Sequence, residues 1–160
     1  MRLATHKTAL FVVLSIVLLL AGSCKSKSGM SAAEAEQEVF RLVNQYRASL
    51  GLVELEWSDV IAEQCRIHSQ NMASGAVEFN HGGFDQRIAA IDAVIPYRFS
   101  AENLAKIADF DNPSQVALES WLGSPGHKEN IEDNFDMTGV GVAKQGDNTY
   151  YFTQIFILRK

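Results

Sequence analysis

The chain has 160 residues, 47% of them apolar and 21% charged, with only 11 glycines and 3 prolines. This excludes collagen-like, low-complexity and wholly disordered chains and fits one domain built on a single core. The formal charge of -5, from 14 Lys and Arg against 19 Asp and Glu, argues against nucleic acid as a partner, because nothing supplies the excess of cations that phosphate contacts need.

Arg2 and Lys7 precede an uncharged apolar run from Thr8 to Leu20, which ends in Ala21, Gly22 and Ser23 before Cys24. That is the layout of a secretion signal over residues 1–23; the run is short of the roughly 20 apolar residues of a stable membrane-crossing helix and ends in small residues. Leu20-Ala21-Gly22-Ser23-Cys24 resembles the bacterial lipoprotein cleavage box, in which the cysteine becomes the acylated first residue, although Ala21 stands where such boxes usually carry leucine. Acyl chains on Cys24 would anchor the protein to the cell envelope, each buried methylene contributing about 0.8 kcal/mol. Residues 24–33 then read as lipidated cysteine and polar tether, and residues 34–160 as the folded domain. An ordinary cleavage site beside an unmodified Cys24 is the alternative. With Cys24 acylated, Cys65 has no disulfide partner, and its place among Ile61, Ala62 and Met72 predicts a buried, inert thiol.

Ser31-x-x-Glu34 is a capping-box pattern, and Ala35, Val39, Leu42, Val43, Tyr46 and Leu50 form one stripe before Gly51, which predicts a first helix. After a short connection over Leu52 to Trp57, Ser58 caps a second helix with Ile61, Ala62, Cys65 and Met72 on its apolar face and Gly75 at its end. A third helical piece is expected after Asp85. A fourth opens at Asn112-Pro113, runs through Val116, Ala117 and Trp121, and breaks at Gly123 to Gly126. Gly139 to Val142 and Tyr150 to Leu158 then read as a hairpin around the polar stretch Lys144 to Asn148. Tyr150, Phe152, Gln154, Phe156 and Leu158 face one way and Tyr151, Thr153, Ile155 and Ile157 the other, so both faces of the strand are largely apolar. A strand covered on both faces needs helices on each side, an α/β/α sandwich.

Three histidines of the mature chain could carry chemistry. His68, on the second helix beside Ser69, reads as a hydrogen-bonded structural imidazole. His81 lies between Asn80 and Gly82-Gly83, and His127 follows Ser124-Pro125-Gly126, so both are placed in permissive turns. Glu102, between Phe99 and Leu104, is a carboxylate whose burial is costly unless a cation or hydrogen-bond donors compensate it. His81, His127 and Glu102 together are a set that could hold zinc or another divalent ion with a position open to water, or hydrogen-bond one another around a wet cleft. Asn103 and Gln154 read as buried amides that satisfy backbone groups.

Asn44-x-x-Arg47, His68-Ser69, Asn80-His81-Gly82-Gly83-Phe84, Ala101-Glu102-Asn103-Leu104, Trp121 to His127, Gly139-Val140-Gly141-Val142 and Tyr151 to Phe156 occur in that order. This set resembles the bacterial branch of the CAP superfamily, named for cysteine-rich secretory proteins, antigen 5 and pathogenesis-related 1 proteins. The resemblance implies an α+β fold, a three-layer α/β/α sandwich with a mainly antiparallel central sheet, and a central cleft that in several members binds zinc or another divalent ion. By motif, His81 and His127 match the two cavity histidines and Glu102 the glutamate between them, which makes these the metal-binding residues or, in an enzyme, the catalytic ones. Asn103, Ser124 and Gln154 would line the cleft. Ser124 stands where many eukaryotic members carry a second glutamate, and Glu119 is displaced from that position.

Loss of that carboxylate weakens any acid–base pair, and no nucleophile is recognisable beside a base. The sequence therefore favours a non-enzymatic, membrane-anchored binding module for a lipid, sterol, peptide or other envelope ligand. A metal-dependent, peptidase-like hydrolase and a structural or adhesive envelope protein are the alternatives.

Overall fold

Ser31 and Glu34 form the expected capping box: the Glu34 N–H donates to Ser31 Oγ and the Ser31 N–H to the Glu34 carboxylate at 2.8 Å. They open α1 (Ala32–Ser49), so the helix starts two residues inside the segment read as tether. This computed structural model describes residues 29–146 and 148–160; the signal segment and Cys24 lie outside the described residues. After α1 come β1 (Glu56–Trp57), α2 (Asp59–Ser74), α3 (Phe84–Asp92), β2 (Tyr97–Ala108), α4 (Pro113–Leu122), α5 (Pro125–Glu132), β3 (Met137–Gln145) and β4 (Thr149–Arg159). Ser58 caps α2 through its side chain, and Gly75, at φ 76°, closes it.

The sheet order is β1-β3-β4-β2. β3 and β4 form the expected antiparallel hairpin, with Gly141 opposite Thr153, and β2 lies antiparallel on the other side of β4, with Asn103 opposite Gln154. The two-residue β1 is parallel to β3. Helices cover both faces, as the two apolar faces of β4 require. On one, Val140, Val142, Phe152 and Phe156 pack with Val39, Val43, Ala117, Trp121 and Ile131 of α1, α4 and α5. On the other, Ile155 and Ile157 meet Ile61 and Cys65 of α2 and Ile88 and Ile91 of α3. Full burial of an Ile or Phe side chain contributes roughly 1.5–3 kcal/mol, so the clamped sheet is the main source of stability.

Alternation in Gly139-Val140-Gly141-Val142 has a plain cause. The valines face α1, and the glycines let the backbone of α2 lie directly on β3. A Cβ on Gly141 would stand 2.0 Å from the Arg66 nitrogen, and one on Gly139 2.3 Å from that of Ala62. Cys65 is buried there, its Sγ donating to the Gly139 carbonyl at 3.4 Å, and burial pushes its thiol far above the ordinary value.

Two elements differ from the sequence reading. Residues 97–108 form a twelve-residue strand that the interrupted alternation around Glu102 and Asn103 does not announce. Gly123 to Gly126, read as a break, also begins a helix: Ser124 is the N-cap of α5 and Pro125 its first residue, where a missing N–H costs nothing. His127 thus stands in the first turn of a helix and not in a turn between elements.

Candidate functional site

β2 is the edge strand on the far side of β4, and consecutive residues of a strand point to opposite faces. Glu102 therefore enters the α2/α3 layer and Asn103 the α4/α5 layer, and each captures the segment that carries one histidine. Glu102 Oε1 accepts a hydrogen bond from His81 Nδ1 at 2.9 Å. Asn103 Nδ2 donates to the carbonyl of His127 at 3.0 Å, while Asn103 Oδ1 accepts from Asn130 Nδ2 at 2.8 Å. The two imidazoles come round the sheet edge from opposite layers, and their ring centroids lie 6.5 Å apart.

The cation that a buried Glu102 requires is Arg87. Its Nε donates to Oε2 at 2.9 Å and its Nη2 to Oε1 at 2.8 Å, in a fork whose side chains are 9% and 2% exposed. Arg87 Nη1 also donates to the Gly82 carbonyl at 2.9 Å, tying the His81 loop to α3. Gly83, at φ 77°, makes the left-handed turn that starts this helix, a conformation that other residues adopt only with strain. His68 serves the same loop: its Nε2–H donates to the Asn80 carbonyl at 3.0 Å. Burial, and then the charge of Arg87, hold this imidazole below its ordinary value, so it is the neutral structural group that the sequence suggests.

Since a carboxylate only accepts, Nδ1 of His81 donates to it, which in the neutral ring leaves the lone pair on Nε2, on a side chain that is 54% exposed. His127 is half-buried, and burial, followed by the charge of His81, lowers its pKa and favours the neutral ring. The site thus brings two imidazoles together, one of them oriented by its bond to Glu102.

The other residues read as cleft-lining are placed differently. Asn103 and Gln154 are fully buried neighbours across the β2–β4 pairing; Gln154 Nε2 donates to Thr138 Oγ1, and its Oε1 has no partner among the described residues. Ser124 caps α5 by position but without a side-chain bond to its backbone. Glu119 is exposed and accepts from Gln115 at 2.9 Å, on the solvent side of α4.

Arg87 and Asn130 are the residues that sequence reasoning missed. Arg87 had a signal: with Phe84, Ile88 and Ile91 it occupies one stripe of α3, and a cation in an apolar stripe calls for a buried anion. Arg47, quoted only as part of a motif, is 2% exposed and donates to the carbonyls of Val53, Ile131, Asp133 and Phe135, fixing the end of α5.

For a metal ion the donor set is short. Both oxygens of Glu102 are engaged by Arg87 and His81, which leaves two ring nitrogens where a catalytic zinc takes three protein ligands. Among the described residues no three His, Cys, Asp or Glu side chains are gathered to hold an ion. An open groove of about 1100 Å³ along α1, lined by Met30, Glu38, Phe40 and Asp111, contains none of the site residues.

Residues 40–156 match the pattern of the cysteine-rich secretory protein family, CAP. The chain is 32% identical over 129 residues to an uncharacterized membrane protein, YlbC, of Bacillus subtilis (strain 168), covering 78% of this chain but 35% of that protein, so it spans about a third of the relative's length. An extracellular protein containing an SCP domain from Bacillus anthracis superposes with a TM-score of 0.67 at 28% identity, over 80% of this chain and 41% of that one. An outer surface protein of Borrelia burgdorferi shares the fold, with a TM-score of 0.68 at 22% identity over 82% and 97% of the two chains. With the match spanning most of its length and the paired histidines gathered at the sheet edge, the chain belongs to the cysteine-rich secretory protein family.

Proposed function

We propose that this protein is an exported binding module, anchored to the envelope through acylated Cys24, whose site between His81 and His127 holds a lipid, sterol or peptide ligand through a hydroxyl or amide donor. One observation carries the reading: Arg87 and His81 occupy both oxygens of Glu102. A carboxylate with both oxygens engaged by its neighbours is not free to reach a substrate, but it fixes the imidazole beside it, so that Nε2 of the neutral His81 ring is a pre-oriented acceptor. Pre-organisation of this kind favours recognition by lowering the ordering cost of binding. The signal-like N-terminus supports export, in keeping with an extracellular and an outer surface protein among the proteins of this fold.

The test is to purify the native protein from its own membranes and identify co-purifying organic molecules by mass spectrometry, beside His81→Ala and Glu102→Gln. One class of lipid or peptide is expected on the wild type, reduced at least several-fold in both variants. Equal recovery from all three would overturn it, as would zinc-dependent peptide hydrolysis abolished by the same substitutions, which would favour the hydrolase.

A further inference from the structure

The point where the chain enters the fold is fixed. The carbonyl of Met30 accepts from Tyr150 Oη at 2.5 Å and from Lys144 Nζ at 3.4 Å, and Ser114 Oγ reaches the Met30 sulfur at 3.5 Å. Lys144 stands near the end of β3, Tyr150 near the start of β4 and Ser114 in the first turn of α4. Ile107 and Ala108, the last residues of β2, pair with Tyr150 and Thr149. Met30 is therefore pinned to one end of the sandwich, the end where β2 finishes. Lys25 to Gly29 separate it from Cys24, so the two Cα atoms lie at most about 21 Å apart, at roughly 3.5 Å per residue.

The same end presents an exposed apolar side chain. Phe110, in the loop from β2 to α4, is 56% exposed, and its neighbour Asp111 lines the groove that begins at Met30. Asp109 and Asp111 flank it, against Lys144, so among the described residues the patch has no net cationic character. An exposed phenyl ring suits burial at the boundary between lipid headgroups and acyl chains, where surface-bound segments insert Trp, Phe and Leu side chains.

We propose that this end of the sandwich, with Phe110 at its tip, rests on the surface of the bilayer that holds Cys24, and that the histidine site is thereby held clear of the membrane. Ala108 and Glu102 are six positions apart on β2, which at about 3.3 Å per step puts the site roughly 20 Å above the contacting end. The ligand then reaches His81 from the aqueous side; a lipid ligand has to leave the bilayer before it is bound. This rests on the anchoring reading given above.

The test uses the full acylated chain from membranes, carrying Phe110→Cys or, as the distal control, Val94→Cys, each labelled with an environment-sensitive dye. Val94 is 64% exposed and precedes the start of β2, about 40 Å along the strand from Phe110. Cys65 is fully buried and takes no label. In phosphatidylcholine vesicles containing a headgroup-nitroxide lipid, dye at 110 is expected to be quenched at least several-fold more than dye at 94, with little change on adding phosphatidylglycerol. Equal quenching, or more at 94, with Cys24 shown by mass spectrometry to be acylated, overturns the orientation and leaves the anchor standing. An unmodified Cys24 overturns both.

Discussion

Replacing Arg87 with methionine removes the buried cation while keeping most of the side-chain volume. Glu102, whose side chain is 2% exposed, then keeps its bond to His81 but loses both guanidinium donors. Removing one partner of a buried pair typically costs about 3–5 kcal/mol, a large part of the roughly 5–15 kcal/mol that a domain of this size has. At about 3–5 °C per kcal/mol, the thermal midpoint should fall by roughly 10–20 °C. The Gly82 carbonyl adds little, because it is exposed and water can replace the lost donor. Urea and thermal unfolding of the chain from Lys25 onward, followed by near-ultraviolet circular dichroism, measure the change. The double variant Arg87→Met, Glu102→Leu should recover much of the loss, since exchanging the whole pair for apolar groups leaves no orphaned charge. A loss below about 1 kcal/mol in the single variant, with no recovery in the double one, would refute a buried, clamped Glu102.

Gly141→Ala should destabilise by about 3 kcal/mol or more, because the helix backbone 2.0 Å away cannot yield as a side chain would; Gly126→Ala, with nothing within 4 Å of the new Cβ, should be nearly neutral by the same unfolding assay. Cys65 should resist a soluble thiol reagent in the native protein and react when denaturant is added, so rapid labelling without denaturant would contradict its burial. His68 and His127 are both held below their ordinary values by burial, so the unfolded chain binds more protons than the folded one; the stability they contribute is complete above about pH 6.5 and is lost as pH falls through the lowered values. A thermal midpoint that declines on acidification, and declines less steeply in His68→Gln, is the expected result, and an unchanged slope in that variant would contradict it.

The helices that cap themselves were legible. Ser31-x-x-Glu34, Ser58 and Gly75 act through bonds to neighbours in sequence, and the two apolar faces of β4 call for two helical layers. β2 was not legible, because its centre is polar and its solvation is supplied from afar: Arg87 and His81 for Glu102, and the His127 carbonyl and Asn130 for Asn103. Proximity of the two histidines depends on that strand, so spacing alone could nominate His81 and His127 as loop-borne candidates without showing how they meet. Ser124-Pro125-Gly126 misled for a different reason. Proline and an N-cap serine after a glycine end one helix and start the next with the same residues.

Everything at the site follows from Glu102 holding His81 by Nδ1. Nuclear magnetic resonance correlations between ring nitrogens and ring protons, in protein carrying isotope-labelled histidine at neutral pH, report this directly. The arrangement predicts that His81 bears its proton on Nδ1, that Glu102→Gln alters the His81 signals, and that those of His68 stay in place. A neutral His81 ring protonated on Nε2, or one indifferent to Glu102→Gln, would contradict it.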